Sequence, residues 1–261
     1  ITTRLVGSEM CIRDRINKIV RRKIEMEKTC TCGSCKEPCA KNISIFSTLS
    51  TEELLKIVNM TEHKSFKEND VLCREGEKSD KLFLIREGRV KICKITKEGK
   101  EQIVYVLSKG DFFGENNLFT SNNISNFSAY AITDAKLCIL KKENLEKILI
   151  KNPEISLKII QEMADRINSA ENLAQTLATR DVEARLATVL IEFMNKYGQK
   201  KEEGIYINLP LNREQIANYC GITRETVSRR LSKFDKLGII KLQGNKGLII
   251  KDKEALFSLA E

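Results

Sequence analysis

Four cysteines lie within ten residues near the start of the chain, at Cys30, Cys32, Cys35 and Cys39. The intervening residues, among them Gly, Ser, Lys, Glu and Pro, offer no hydrophobic surface on which four thiols could pack. A bonded framework is therefore expected to hold the four thiols together. The candidates are disulfides, a zinc ion and an iron-sulfur cluster.

Composition separates these candidates in part. The chain has 261 residues, nine cysteines and a net charge of +9. A chain of this length can bury two modest cores, so it does not need disulfides as staples. No apolar run approaches the roughly 18 residues that cross a membrane, and the basic N-terminus lacks the apolar core of a signal peptide. We therefore expect a cytoplasmic protein with reduced thiols and no membrane partner.

The first residues differ from the rest of the chain. Residues 1–15 show no sustained periodicity and resemble a translated cloning or sequencing adaptor, whereas Met26 opens a segment typical of a protein start. We expect residues 1–25 to be a non-native or disordered leader, with a genuine flexible basic arm as the alternative. Residues 26–42 then form a cysteine-rich segment that binds the metal or cluster.

Residues 43–150 have the pattern of a β domain. Short apolar runs are separated by Gly76, Gly88, Gly99 and Gly110, a spacing of eleven or twelve residues that predicts an antiparallel sandwich or roll. Ser50, followed by a glutamate three residues later, predicts a capped helix before the strands. The predicted strands lie near 82–85, 90–95, 103–107, 129–132 and 137–140.

Residues 151–180 have the period of a long helix with one narrow apolar stripe. Such a stripe is typical of a helix that pairs with a second copy of itself. The predicted dimer seam consists of Ile159, Met163, Ile167, Ala170, Ala174 and Leu177. The alternative is a helix packed along its own β domain, and the first half could pack in this way while the second half pairs.

Residues 181–261 carry the signals of a winged helix-turn-helix. Asn212 with Gln215 predicts a capping box, and Thr223 predicts the cap of a second helix that ends near Gly238. Gly221 permits the tight turn between the two helices. Two short apolar runs on either side of residues 244–247 predict a β hairpin, the wing.

The exposed face of the second helix has side chains suited to DNA. An arginine can bind O6 and N7 of guanine, and a glutamate can accept from the N4 amine of cytosine. The alternative is a surface ion pair between Glu225 and Arg229. The candidate DNA-binding residues are Thr223, Arg224, Glu225, Ser228, Arg229, Arg230 and Lys246. No arrangement for nucleophilic or acid-base catalysis is present, so we do not expect an enzyme.

From Ile43 to its end, the chain resembles the CRP/FNR superfamily of bacterial transcription regulators. Glu225, Ser228 and Arg229 match the FNR pattern that reads a TTGAT-like half-site, while Arg224 stands where the cyclic-AMP receptor branch, which reads TGTGA-like sites, also has arginine. The resemblance implies an α+β fold with an N-terminal cyclic-nucleotide-binding-type β roll, a long dimerisation helix and a C-terminal winged helix-turn-helix. It also implies a homodimer on a double-stranded DNA palindrome, with RNA polymerase as a partner.

The nucleotide pocket of the cyclic-AMP branch is degenerate in this sequence. That branch follows Phe-Gly-Glu with Arg-Ser/Thr-Ala, but here Phe127 stands in place of the arginine that pairs with the cyclic phosphate. Such a charge-assisted contact is worth about 1.5 to 3 kcal/mol, so we do not expect cyclic AMP to bind. The residues of the degenerate pocket are Gly114, Glu115, Phe127 and Ser128.

FNR-type regulators hold an oxygen-labile [4Fe-4S] cluster with three N-terminal cysteines and one cysteine of the β domain. Cys138 falls at the matching position, so the resemblance implies oxygen or redox sensing and the ligands Cys32, Cys35, Cys39 and Cys138, with Cys30 as an alternative ligand. The N-terminal spacing is tighter than that of FNR. The other interpretation is a structural zinc site made by the four clustered cysteines, with a different small-molecule effector in the β roll.

The remaining cysteines, Cys73, Cys93 and Cys220, are predicted to be core residues, and His63 is predicted to be a surface residue.

Overall fold

The computed structural model describes residues 39–120, 122–178, 181–244 and 246–260. The leader, residues 1–25, and three of the clustered cysteines, Cys30, Cys32 and Cys35, lie outside the described residues. The expectations for these parts of the chain therefore stay predictions.

The first half of the chain folds into two four-stranded antiparallel sheets that pack face to face. The strands are β1 (Thr61–Phe66), β2 (Val71–Cys73), β3 (Lys81–Glu87), β4 (Arg89–Ile95), β5 (Glu101–Ser108), β6 (Phe112–Phe113), β7 (Ser128–Ala131) and β8 (Ala135–Lys141). One sheet has the order β1-β8-β3-β6 and the other has the order β2-β7-β4-β5. Alternate residues of β3 point to opposite faces, so Phe83 lies between the sheets and Leu84 on the outer face. The predicted β roll is confirmed.

Short helices cover the outer face of the β1-β8-β3-β6 sheet. Two 3₁₀ helices (Cys39–Asn42 and Ser44–Phe46), α1 (Thr51–Asn59) and α3 (Lys142–Lys151) contribute to one hydrophobic cluster with this face, and α2 (Glu115–Phe119) follows β6. The predicted capping box of α1 is present, because Ser50 N donates to Glu53 Oε2 at 2.9 Å and Glu53 N donates to Ser50 Oγ at 3.4 Å. We call this group of buried residues the outer-face cluster.

A long helix, α4 (Pro153–Ala178), follows. Ile155 and Ile159 are buried in the outer-face cluster, and Lys158 Nζ donates to Ser47 Oγ at 2.6 Å. The first half of α4 therefore packs along its own β domain. Ile159 does not present its side chain to a second copy, in contrast to the predicted seam, because the sheet already covers it.

The last part of the chain is a winged helix-turn-helix. Its elements are α5 (Val182–Tyr197), β9 (Gln199–Lys201), β10 (Gly204–Asn208), α6 (Arg213–Cys220), α7 (Arg224–Lys236), β11 (Ile240–Gln243), β12 (Gly247–Ile250) and α8 (Lys253–Ser258). The sheet order is β11-β12-β10-β9, so the wing is extended by a second hairpin. After Gly198 the chain forms β9, reverses at Gly204, whose φ of +135° lies in a region that favours glycine, and pairs β10 with β9.

A single hydrophobic cluster joins the β roll to the DNA-binding part. Ile103 and Val106 of β5 belong to the same cluster as Phe193 of α5 and Tyr219 of α6. Gln102 Nε2 also donates to the carbonyl oxygen of Tyr219 at 3.1 Å. The orientation of the helix-turn-helix relative to its own β roll is therefore fixed by buried apolar contacts. Within the described residues, no helix has the length and apolarity needed to cross a membrane.

Three cysteines are packed as small apolar residues. Cys73, Cys93 and Cys220 are buried, as expected from their positions in the strand and helix patterns. Burial raises the pKa of the Cys73 thiol to about 11 and the pKa of the Cys93 and Cys220 thiols to about 12. Burial thus disfavours the thiolate form of all three side chains.

Candidate DNA-binding surface and sensor site

The turn between α6 and α7 is fixed by its caps. Gly221 has a φ of +66°, in the left-handed region that favours glycine. Asn212 and Gln215 form the predicted capping box at the start of α6, with N–H···O distances of 2.9 and 3.0 Å. The Thr223 hydroxyl accepts from Thr226 N at 3.3 Å and begins α7. Together these bonds set the direction in which α7 leaves the turn.

The two faces of α7 differ in composition. Val227, Leu231 and Phe234 are buried and pack the inner face into the core. The predicted reading residues, Arg224, Glu225, Ser228 and Arg229, are exposed on the outer face. No salt bridge among the described residues joins Glu225 to Arg229. The structure therefore brings the four predicted reading residues together on an exposed surface and does not support the alternative of a surface ion pair.

The basic residues around α7 are not all free. Lys246 is exposed in the turn of the wing, where it can reach a phosphate. Arg230 instead forms an ion pair with Glu183 at the start of α5, and Lys233 Nζ lies 2.6 Å from the same carboxylate. The predicted contact of Arg230 with DNA therefore competes with a contact inside the protein. The helical pattern alone did not reveal Glu183, because its partners lie far away in the sequence.

The residue expected to disable nucleotide binding belongs to the hydrophobic core. Phe127 is buried, and its ring meets the edge of Phe113 at a centroid distance of 6.3 Å. Phe113 in turn stacks on Phe83 at 4.7 Å. Position 127 thus supplies an apolar packing contact between the sheets and no positive charge for a phosphate.

The neighbouring polar residues of this region are also engaged. Glu115 is buried and forms an ion pair with Arg166, which reaches down from α4. Arg166 also donates to the carbonyl oxygen of Phe112 and lies over the Phe112 ring, 4.7 Å from its centroid. Ser128 Oγ accepts from Glu75 N at 3.0 Å. No local signal in the sequence distinguishes an arginine on the surface of a helix from one, like Arg166, that reaches a buried carboxylate.

Gly114 is required by the backbone at the turn before Glu115. Its φ is +98°, and a Cβ at this position would lie 2.5 Å from the carbonyl oxygen of Lys81. The Phe-Gly-Glu turn therefore has a structural reason to be present without a nucleotide.

Cys138 lies on the outer face of its sheet and contacts the single histidine of the chain. Its position on β8 is directly opposite His63 on β1, and the Sγ–Nδ1 distance is 3.1 Å. His63 is half-buried on the edge strand β1, and its ring faces Cys138. Among the described residues, no group of three or more His, Cys, Asp or Glu side chains could hold a metal. The structure therefore leaves the predicted ligand set untested.

One face of the second half of α4 is exposed, although Arg166 of the same segment reaches Glu115 of the β roll. Ile167, Ala170 and Ala174 are exposed, and Met163 and Leu177 are half-buried. Ile160, which the predicted seam omitted, is 61 % exposed. Residues 160, 167 and 174 repeat every seven positions, as do residues 163, 170 and 177, which is the pattern of a coiled-coil seam.

Two family models match the chain. A cyclic nucleotide-binding domain matches residues 63–152, and a Crp-like helix-turn-helix domain matches residues 184–259. These ranges contain Cys138 and the degenerate pocket in the first case, and the whole of α6 and α7 in the second.

Curated relatives and a solved structure match the chain across both of these domains. The chain is 28 % identical over 211 residues to an anaerobic regulatory protein of Bacillus subtilis, covering 80 % of this chain and 89 % of that protein. It is also 28 % identical over 212 residues to a CRP-like cAMP-activated global transcriptional regulator of Mycobacterium tuberculosis, covering 81 % and 94 %. The structure of FixK2 from Bradyrhizobium japonicum is similar with a TM-score of 0.69 and 25 % identity, covering 77 % of this chain and 98 % of that one. The identity to the anaerobic regulatory protein and the identity to the cAMP-activated regulator are equal, so identity alone does not show which of the two this chain resembles more.

Replacing Arg229 with Ala is expected to weaken binding to a specific site by about 1 to 3 kcal/mol, with the loss confined to sites that keep the guanine it reads. Fluorescence anisotropy on a palindromic duplex and on single-base variants measures this. Lys246→Ala is the matched control, since it should weaken binding to all sequences alike. An equal loss on every duplex for Arg229→Ala would make Arg229 a phosphate contact.

Replacing Phe127 with Ala is expected to destabilise the protein by about 3 to 5 kcal/mol, because the side chain fills the core between the sheets. Urea denaturation followed by circular dichroism measures the change. Phe119→Ala serves as the control, because Phe119 is 51 % exposed. A loss no larger than that of the control would show that Phe127 borders open space.

Proposed function

Because the chain belongs to the CRP/FNR family of transcription regulators, we propose that it is a homodimeric, oxygen- or redox-responsive regulator that senses through an N-terminal [4Fe-4S] cluster. It binds DNA through the winged helix-turn-helix and reads a TTGAT-like or TGTGA-like palindrome with the outer face of α7. It acts on chromosomal DNA in the cytoplasm, with RNA polymerase as its partner at promoters.

The observation that carries the cluster proposal is the position of Cys138. Its thiol faces the outer-face cluster, and Ala40, the residue after Cys39, is buried in that same cluster. The chain thus leaves the cysteine run on the side of the sheet where Cys138 points. Cys93, by contrast, lies on β4 of the other sheet and packs in the cluster shared with the DNA-binding part.

The donor set fits an iron-sulfur cluster, because cysteine thiolates are its usual ligands. Cys32, Cys35 and Cys39 would supply three ligands and Cys138 the fourth, with Cys30 able to replace one of the first three. When bound, the cluster would supply sensitivity to oxygen. His63 Nδ1 lies within hydrogen-bond distance of Cys138 Sγ and can orient that sulfur. A zinc site made by the four clustered cysteines, the alternative, would leave Cys138 without a role.

The outer-face cluster also connects the sensor to the dimerisation helix. Ile155 and Ile159 of α4 share this cluster with Cys138 and Ala40. A change in the contact between the cysteine run and Cys138 therefore bears directly on the first turns of α4. We propose that this changes how two copies of α4 pair along Ile160, Met163, Ile167, Ala170, Ala174 and Leu177.

Cyclic AMP is not the effector in this proposal. The pocket has lost its arginine to Phe127, and Arg166 of the chain itself already pairs with Oε1 of Glu115.

Protein purified without oxygen is expected to be coloured and to contain iron and sulfide in equal amounts. Cys138→Ala should remove the colour and the iron, because one cluster ligand is lost. Cys93→Ala is the control, since it removes a buried thiol from a different core. Absorption spectra and metal analysis of the three proteins measure this. A colourless, iron-free and zinc-loaded wild type would refute the cluster, and zinc binding by Cys138→Ala would then support the four-cysteine zinc site.

The exposed part of the seam contains no charge, so we expect cluster-free protein to remain a dimer at low micromolar concentration. Ile167→Glu should make it monomeric, because like charges facing each other across an interface cost several kcal/mol. Gel filtration with light scattering measures the mass. Ile150→Glu is the control, because Ile150 is exposed but lies off α4. A monomeric wild type would show that the seam needs the cluster.

A further inference from the structure

One carboxylate holds two cations of α7. Glu183, in the first turn of α5, pairs with the guanidinium of Arg230 and lies 2.6 Å from Lys233 Nζ. The side chain of Glu183 is only 14 % exposed, so solvent screens this pair less than it screens a surface pair. Asp181 Oδ1 accepts from Glu183 N at 2.7 Å and caps the same turn, where the helix dipole favours negative charge.

The two cations stand beside the reading face. Successive residues of a helix are about 100° apart, so Lys233, four residues after Arg229, lies on the next turn of nearly the same face. Arg230 lies further round, between that face and the buried one. From these positions both side chains are long enough to reach the phosphates that border the major groove.

The ion pair withdraws Arg230 from solvent at a cost. Arg230 Nε is buried and has no hydrogen-bond partner among the described residues. A buried donor without a partner costs about 1 to 3 kcal/mol. Without Glu183, the guanidinium of Arg230 would therefore be more stable in a position where Nε can form a hydrogen bond. The attraction of the Glu183 carboxylate is what holds it in place.

We propose that Glu183 sets the sequence selectivity of the protein by holding Arg230 and Lys233 away from the DNA backbone. Phosphate contacts raise the affinity for every sequence alike and carry no base information. With the two cations paired inside the protein, binding depends more on Arg224, Glu225, Ser228 and Arg229. Glu183 is thus a positioning residue that lowers non-specific binding without contacting DNA.

Glu183→Gln tests this, because it removes the charge and keeps the shape. Affinities are measured by fluorescence anisotropy at 50 to 200 mM salt, on about 30 base pairs of random duplex and on a duplex with a TTGAT palindrome. The variant should bind random duplex more tightly, and the slope of log affinity against log salt should steepen by about 0.9 for each additional phosphate that the protein neutralises. This corresponds to about a 3.5-fold larger loss of affinity per phosphate across that salt range.

Two further variants make the result decisive. Glu87→Gln is the control, because it removes the same charge at a different place. It frees Lys136, whose Nζ lies 2.8 Å from Glu87, and both residues belong to the β roll. It should leave the salt slope near that of the wild type. Arg230→Gln with Lys233→Gln should reduce the slope more in the Glu183→Gln background than in the wild-type background.

The proposal is overturned if Glu183→Gln steepens the slope no more than Glu87→Gln does. It is also overturned if Arg230→Gln with Lys233→Gln, made in the wild-type background alone, lowers the slope by about 0.9 for each charge removed. That measurement keeps Glu183 and does not require Glu183→Gln to fold. None of these measurements needs the cluster.

Discussion

The contact that the rest of the structure depends on is the packing of α4 against the outer face of the β1-β8-β3-β6 sheet. Ile155 and Ile159 insert into the cluster that also holds Cys138 and Ala40. Burying an isoleucine side chain contributes about 1.5 to 3 kcal/mol. The end of the cysteine run, the sheet and the first turns of α4 are therefore parts of one hydrophobic unit, and none of them can move without disturbing the others.

A buried ion pair ties α4 to the same domain at a second point. Arg166 reaches Glu115 at the turn where the cyclic-AMP branch holds a nucleotide. A buried pair of this kind adds little net stability, but removing one partner typically costs about 3 to 5 kcal/mol, because the other charge is left unpaired. The pair therefore fixes where α4 lies more than it strengthens the fold. Phe127 lies in the core and Arg166 pairs with Oε1 of Glu115, so the described residues of this region offer no free cation for the phosphate of a nucleotide.

Local signals in the sequence predicted the elements whose geometry is set locally. The capping boxes at Ser50 and Asn212 and the turn at Gly221 are patterns within a few residues, and all three are present. The contacts that sequence reasoning missed join distant residues. His63 and Cys138 are 75 residues apart, Glu115 and Arg166 are 51 apart, and Glu183 and Arg230 are 47 apart. Local pattern also failed to define the seam within α4. Ile159 is buried and its neighbour Ile160 is exposed, because the sheet covers only Ile159, and the sequence alone does not show where the sheet lies.

The shared core between β5 and the helix-turn-helix determines how a signal can reach DNA. Separating the two parts would expose Ile103 and Val106, at about 25 cal/mol for each Å² of apolar surface, and would break the bond from Gln102 to Tyr219. Lys196 Nζ also donates to the carbonyl oxygen of Val106 at 2.9 Å. Each α7 is thus held to its own β roll. In the proposed dimer on a palindrome, the two α7 helices must lie about 34 Å apart, so the pairing of α4 is the contact at which that spacing can be adjusted.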